Sequence, residues 1–441
     1  MKKFFPVVIL TIISAFLIFY RFTEIPRYLA FDEVEFAKLA LSLEEKPYIP
    51  YSQLATGHST LYFYIILASL KTFGINTFAL RFPAAIFGIL SVMIFYFIMQ
   101  NIYQKNKILD TKYLILNTLI LLSSRWFLNF ARFSFEATFL LFLELTSIYF
   151  LLRFDEVSKA KISNFLRFDV FRQKILISSF YLIFSGIFAG LSFLSYTPGR
   201  IFFLLPLCFL IYRFVNPLLA HRQWNNQAMK QLLLFLIPFI IIITPLTSYL
   251  LTNKDPRIDQ QFFLKNHEMT INEKVNGLWS NISSTTLMFF TKGDMNGRHN
   301  YPGKPALNPI LNILLIIGLI ITMKQWNNSY NKFFIFYFLL SILPALMTYP
   351  WENPNMLRTY TSLPAIVYFV GLAILFFVNL INKMIKIKTA KYLILNTLYF
   401  ILIFSCFYEL RTYFKYQSIV FNQSFEIKLP LEKAIKSKVL P

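Results

Sequence analysis

Apolar and polar positions fall in long blocks along this chain. Apolar runs occupy residues 4–21, 80–102, 113–127, 133–152, 175–194, 201–212, 231–251, 307–323, 333–349, 360–380 and 392–410. Most are long enough as helices to cross roughly 30 Å of hydrocarbon, where a backbone must close its hydrogen bonds within each segment. The pattern predicts an all-α polytopic membrane protein with about eleven transmembrane helices. One further run, 59–73, is short and bounded by His58 and Lys71. Ahead of it, Asp32 reads as the cap of a short amphipathic helix over 33–43, which ends before Pro47 and Pro50.

Charge decides how to read 59–73. If that run does not cross, Lys2, Lys3, Lys105, Lys107, Lys112, the basic connector 153–174, Arg213, Arg222, Lys230, Lys324, Lys332 and the lysines of 383–391 share one side. Asp32, Glu33, Glu35, Glu44, Glu45, Asp255, Asp259, Asp294 and Glu352 share the other. If it crosses, every later connector flips against the preference of Lys and Arg for the cytoplasm. The run is therefore expected to lie along the outer surface as an interfacial helix. A transmembrane domain over 1–410 follows, with an extracytoplasmic first loop (22–78) carrying juxtamembrane helices and a long outer loop (252–306). A short outer tail (411–441) carries a helix over 429–438. The acidic face is extracytoplasmic, where no nucleotide sugar or ATP is available.

Composition narrows the class further. Over 441 residues the chain is 56% hydrophobic and 19% aromatic, with mean hydropathy +0.55, which excludes a soluble domain. A net charge of +22 would suit nucleic acid, but the basic residues sit in short connectors, as orientation signals do. Cys208 and Cys406 both lie in apolar runs, so there is no disulfide framework and no metal-binding spacing. Met1-Lys2-Lys3 and the following apolar run resemble a signal peptide, but no small-x-small cleavage site follows, and the run reads as a retained first span.

The polar residues at outer span ends form a candidate site. They are Asp32, Glu33 and Glu35; His58; Arg81; Arg125, Arg132 and Glu136; Tyr196 and Arg200; Lys292, Asp294, Arg298 and His299; and Glu352 and Arg358. Three carboxylates within 32–35, beside a bilayer that disfavours charge, point to function. Arginines suit an anionic headgroup and carboxylates suit acid–base work. Each residue also has a plainer reading. Asp32 caps a helix, Arg81 snorkels, His58 caps the surface helix, Arg132 and Glu136 form an i, i+4 pair, and 196–200 is a hinge. The Gly-punctuated stretch 292–300, in the longest outer loop, favours substrate contact.

Several local patterns recur in a defined order. Asp32-Glu33 follows the first span, then His58-Ser59-Thr60-Leu61-Tyr62-Phe63-Tyr64, then Gly74 with Phe78-Ala79-Leu80-Arg81-Phe82-Pro83. Arg132-Phe133-Ser134, Tyr196-Thr197-Pro198-Gly199-Arg200 and Asn355-Met356-Leu357-Arg358 with Pro364 come later. In this the chain resembles the GT-C class of membrane glycosyltransferases, within it the protein mannosyltransferase and aminoarabinose transferase-like superfamily, most clearly over 1–200. The resemblance implies sugar transfer from a polyprenyl-phosphate-linked donor to a lipid, glycan or protein acceptor, with Asp32 as catalytic base and Glu33 beside it. Ser59-Thr60 departs from the Pro-Pro or Lys-Pro of many relatives, and Glu136 stands where many have Asp.

On that reading Arg81, Arg132, Arg200 and Arg358 surround the donor phosphate and the prenyl tail lies between spans. His58, Glu136, Tyr196, Asp294, Arg298 and His299 complete the substrate contacts. Inverting attack at the sugar's C1 follows proton removal by Asp32. The sequence marks no definite cofactor; a divalent cation is possible at Asp32, Glu33 and His58, although no dense ligand motif demands one. The competing class, a transporter or flippase of a lipid-linked or anionic substrate, predicts half-to-half repeats and mid-span charge, and neither is visible. A membrane scaffold would not need convergent acids and arginines. A compact chain without organelle signals suits a prokaryotic plasma membrane.

Overall fold

The computed structural model describes residues 5–45, 47–103, 111–159, 168–221, 226–253 and 255–437. Lys2, Lys3, Lys105, Lys107, Lys161, Arg167 and Arg222, which carry part of the orientation argument, lie outside the described residues. The chain begins with α1 (Phe5–Phe19) and α2 (Phe31–Ser42), then a two-residue antiparallel ribbon, β1 (Tyr51–Ser52) with β2 (His58–Ser59). Then come α3 (Leu61–Phe73), α4 (Thr77–Tyr103), α5 (Thr111–Ser123), α6 (Arg125–Ala131), α7 (Glu136–Lys159) and α8 (Phe168–Phe193). The second half holds α9 (Leu204–His221), α10 (Asn226–Thr252), α11 (Pro256–Gln261), α12 (Ile271–Phe290), α13 (Pro309–Lys324) and α14 (Ser329–Leu346). It ends with α15 (Leu363–Met384), α16 (Lys388–Arg411), α17 (Ser418–Ser424) and α18 (Leu431–Lys436).

Among the described residues seven helices are long and apolar enough to cross a membrane, and eight if the bent pair α5–α6 counts as one. By length and composition this is fewer than the eleven expected. The expected span 113–127 bends by 63° where Ser124 separates α5 from α6. The first run and 307–323 form helices of 15 and 16 residues. At 13 residues α3 reaches only about 20 Å, and it packs along α2 and α4. The core centres on α7, whose apolar window is 78% buried, whereas that of α10 is 17% buried and presents Ile237, Ile240 and Ile241 outward. Such outward apolar side chains belong in lipid.

The first loop buries Leu29, Val34, Phe36, Leu39 and Leu43 in the core, and ion pairs and backbone contacts orient it. Asp32 is not the cap of α2: Ala30 holds that place, Asp32 is the second helical residue, and Glu33 reaches back to accept from Ala30 N at 3.2 Å. The same carboxylate takes a two-pronged contact from Arg81, Nε to Oε1 and Nη2 to Oε2, both 2.7 Å. Ser134 N donates to Oε1 at 3.1 Å, and Arg81 also donates to the carbonyls of Pro26 and Tyr28. Both side chains are fully buried. Arg132 donates to the carbonyls of Leu17, Ile18, Arg21 and Ile25 at 2.9–3.1 Å, holding the end of α1 and the turn after it.

Two more anchors set the cavity end. Arg125 pairs with Glu409 at 2.7 Å and donates to Asn300 and Pro305, tying α16 and the 294–305 loop to α6. Gly293 makes that loop possible, since a Cβ there would overlap the Lys304 carbonyl. The tail returns to the beginning of the chain: Glu426 accepts from Phe31 N at 2.9 Å, and Ile427 bridges Leu29. Its last helix is shorter than the 429–438 expected.

Removing Arg81 leaves the Glu33 charge buried and uncompensated. Arg81→Ala is expected to cost about 3–5 kcal/mol, read as a lowered thermal unfolding temperature of purified protein in detergent. An unchanged temperature would deny the pair its structural role.

Candidate functional site

One cavity of about 730 Å³ opens where α2, the ribbon, the turn after α8, α11 and the 294–299 and 351–358 segments meet. It brings together Asp32, His58, Tyr196, Asp294, Arg298, His299 and Arg358 of the sequence-derived set. Five others stand behind its walls. Glu33, Arg81 and Arg132 are committed to the contacts just described, Glu136 lies behind His58, and Arg200 holds α11.

Asp32 sits in the first turn of α2, where exposed helical N–H groups favour a carboxylate. Its Oδ2 accepts from Arg298 Nη1 at 2.8 Å, and Oδ1 has no partner among the described residues. Asp294 organises the loop that presents Arg298. Its Oδ1 accepts from Asn296 N at 2.8 Å, and its Oδ2 from Met356 N at 2.8 Å and from His299 Nδ1 at 3.1 Å. Arg298 therefore arrives beside Asp32 from a loop pinned to the segment that carries Arg358. Arg358 in turn pairs with Glu352 on the same wall.

Arg257, which the sequence reading did not single out, is the third guanidinium of the cavity and is buried. It stands near the start of α11, a six-residue helix capped by Asp255, whose Oδ1 accepts from Arg257 N and Ile258 N. Asp255 also accepts from Tyr51 at 2.8 Å and Arg200 at 2.6 Å. Burial raises the Asp255 carboxyl, but Arg200 and the other donors outweigh it and hold the group below its ordinary value. Arg257 itself has no carboxylate partner among the described residues. Its Nη1 lies 2.8 and 3.0 Å from the two ring nitrogens of His58, and its guanidinium sits 5.3 Å over the Tyr196 ring. The Asp255-Pro256 cap-and-first-turn signal marked the helix start and was the available clue.

His58 Nδ1 lies 2.8 Å from Glu136 Oε1, with both side chains buried. Burial is the largest cause holding the imidazole below its ordinary value, and Arg257 adds to it against the pull of Glu136. A neutral ring that donates from Nδ1 to Glu136 leaves Nε2 to accept from Arg257. The expected cation trio does not assemble: Glu33 is saturated by Arg81, Ser134 N and Ala30 N, and His58 faces Glu136 and Arg257. Among the described residues no three His, Cys, Asp or Glu side chains converge as a metal site.

No family model matches this chain, and no curated protein matches it by sequence. Solved structures do match. The oligosaccharyltransferase AglB from the archaeon Archaeoglobus fulgidus, in complex with an inhibitory peptide and a dolichol-phosphate, aligns with TM-score 0.54 at 13% identity. ArnT from Cupriavidus metallidurans in the apo state aligns with TM-score 0.52 at 11% identity. The fold is that of the GT-C class. Both alignments cover 97% of this chain; they cover 56% of AglB and 77% of ArnT, so the chain spans little more than half of the former. ArnT bound to undecaprenyl phosphate aligns with TM-score 0.50. A GT-C fold with apolar helices of this kind is that of an integral membrane protein.

Because the Asp255 carboxyl lies below its ordinary value in the fold, the stability it contributes is present above the ordinary carboxylate range. It is lost as pH falls through the folded value. Asp255→Asn is therefore expected to lower the unfolding temperature near neutral pH, with the deficit shrinking as pH falls below the ordinary carboxylate range. A deficit independent of pH would show that the charge is not what matters there.

Proposed function

We propose that this protein moves a sugar from a polyprenyl-phosphate-linked donor to a lipid, glycan or protein acceptor, with inversion at C1 and Asp32 as the base. The observation that carries the reading is a buried guanidinium without a carboxylate partner, Arg257, in the same cavity as a carboxylate with an unpartnered oxygen, Asp32. The GT-C fold and the dolichol-phosphate and undecaprenyl phosphate bound by its structural neighbours agree with it.

The donor phosphate meets Arg257 and Arg358. Arg358 exchanges some of its contact with Glu352 for the phosphate, and Arg257 has no carboxylate to give up. Arg81, Arg132 and Arg200 act at one remove, by fixing the loop and α11. From Arg257 and Arg358 a narrow hollow of about 80 Å³ passes Pro198, Ile201, Pro344 and Met347. A second hollow, of about 140 Å³, lies further along the same α9–α14 seam between Leu205, Phe209, Phe333 and Phe336. An apolar seam that begins at the cations suits a prenyl chain with its phosphate at the top.

In the transfer, the acceptor oxygen attacks C1 from the side opposite the phosphate. The C1–O bond to phosphate breaks, the electron pair leaves on polyprenyl phosphate, and the acceptor proton passes to Asp32. Arg257 and Arg358 stabilise the departing anion, and Arg298 fixes the direction of the Asp32 carboxylate. The site works on the extracytoplasmic side of a prokaryotic plasma membrane, as the basic connectors suggest. No step uses a metal.

The test is transfer from radiolabelled polyprenyl-phosphate sugars by purified protein in lipid nanodiscs. Asp32→Asn is expected to lower kcat by about 100-fold or more with donor binding retained, and unimpaired turnover would remove Asp32 as the base. Movement of the lipid across the bilayer without sugar release would favour a flippase instead.

A further inference from the structure

An arginine meant for an incoming anion faces a difficulty when the same cavity holds acids. Asp32, Glu35 and Glu352 all line the space that Arg257 enters, and a flexible guanidinium would turn to one of them and lose its charge to a salt bridge. Arg298 and Arg358 are paired in that way. Arg257 Nη1 lies against both ring nitrogens of His58 instead, at 2.8 Å from Nδ1 and 3.0 Å from Nε2, and Nδ1 also meets Glu136.

We infer that His58 and Glu136 are positioning residues that aim Arg257 into the cavity without neutralising it. The inference rests on the reading that Arg257 meets the donor phosphate. A neutral imidazole fixes a guanidinium through an accepted hydrogen bond and contributes no opposing charge. Glu136 sets which ring nitrogen accepts by taking the proton-bearing one, as second-sphere carboxylates do for ligating histidines. The ring cannot rotate away. Phe36 and Phe63 meet it edge-on at centroid distances of 5.1 and 5.3 Å, and His58 is 5% exposed. Glu136 opens α7, the most buried span, so the chain of contacts starts from the stiffest part of the bundle. Tyr196 closes the other side of the guanidinium. The charge of Glu136 stays two groups away from the phosphate, separated from it by the ring and the guanidinium.

The experiment measures binding of undecaprenyl phosphate to protein in nanodiscs, together with kcat and KM for the sugar-loaded donor. The variants are His58→Ala, His58→Gln, Glu136→Gln and Arg257→Ala, each checked for its unfolding temperature. His58→Ala is expected to weaken binding and raise KM by about 10- to 100-fold, with kcat falling as well because Arg257 also stabilises the departing phosphate. His58→Gln, which keeps a neutral acceptor towards Arg257 and a donor towards Glu136, is expected to restore most of the loss. Glu136→Gln is expected to weaken binding less than His58→Ala, and it supplies the reading if His58→Ala does not fold. Wild-type binding by both His58→Ala and Glu136→Gln, with Arg257→Ala impaired, would overturn the relay and leave the transferase reading standing. Wild-type binding by Arg257→Ala would overturn the phosphate placement itself. A fall in kcat at unchanged KM in His58→Ala, or no rescue by a folded His58→Gln, would also overturn the positioning role.

Discussion

The Glu33–Arg81 contact is the constraint on which the cavity depends. The first loop buries apolar side chains of α2, but apolar contacts are non-directional, so charge and backbone contacts must set its orientation. Here one carboxylate closes the first turn of α2, grips α4 through Arg81 and accepts from Ser134 N ahead of α7. Arg81 spends its remaining donors on Pro26 and Tyr28, in the segment that leads into α2. Asp32 and Glu33 are adjacent on one helix, so a side chain sealed inside the protein sets where its neighbour opens. The arrangement divides two neighbouring acids between scaffold and cavity.

The same division runs through the arginines. Arg81, Arg125, Arg132 and Arg200 give most of their contacts to carboxylates or backbone carbonyls away from the cavity. Arg257, Arg298 and Arg358 line it, and they differ in how their charge is occupied. Arg298 is spent on Asp32 and so directs the proposed base. Arg358 faces Glu352, and Arg257 is held by a neutral ring. A uniformly positive pocket would bind phosphate tightly and release the product phosphate slowly. Paired and unpaired cations side by side offer the leaving group strong stabilisation at a few atoms only.

Much of this was legible in the sequence. Apolar block lengths mark the long helices, and the short run between His58 and Lys71 reads as a helix that does not cross. Polar residues at the ends of those blocks include Asp32, His58, Tyr196, Asp294, Arg298, His299 and Arg358, which line the cavity. What could not be read is direction. An arginine at the start of a span can reach into solvent or turn back onto carbonyls, and Arg132 does the latter because α1 ends beside it. The bend at Ser124 was hidden because the 113–127 run is apolar across most of its length, and Ser123-Ser124-Arg125 reads no differently from the earlier polar pair Asn117-Thr118. Arg257 was missed for a related reason. Its importance lies in lacking a carboxylate partner, which only tertiary placement reveals.

The tail shows how a remote segment enters the site. Nothing in 411–441 looks catalytic, yet Glu426 accepts from Phe31 N, 395 residues earlier, and Ile427 exchanges backbone hydrogen bonds with Leu29. Those contacts bracket the first turn of α2, one residue from Asp32. Phe425 packs against Phe133 and lies beneath the Arg81 guanidinium, so the strand-like end of the tail covers the Glu33–Arg81 pair. A buried ion pair keeps its strength only while water is excluded. The tail segment at 425–427 therefore protects the electrostatics that place the first acidic residue.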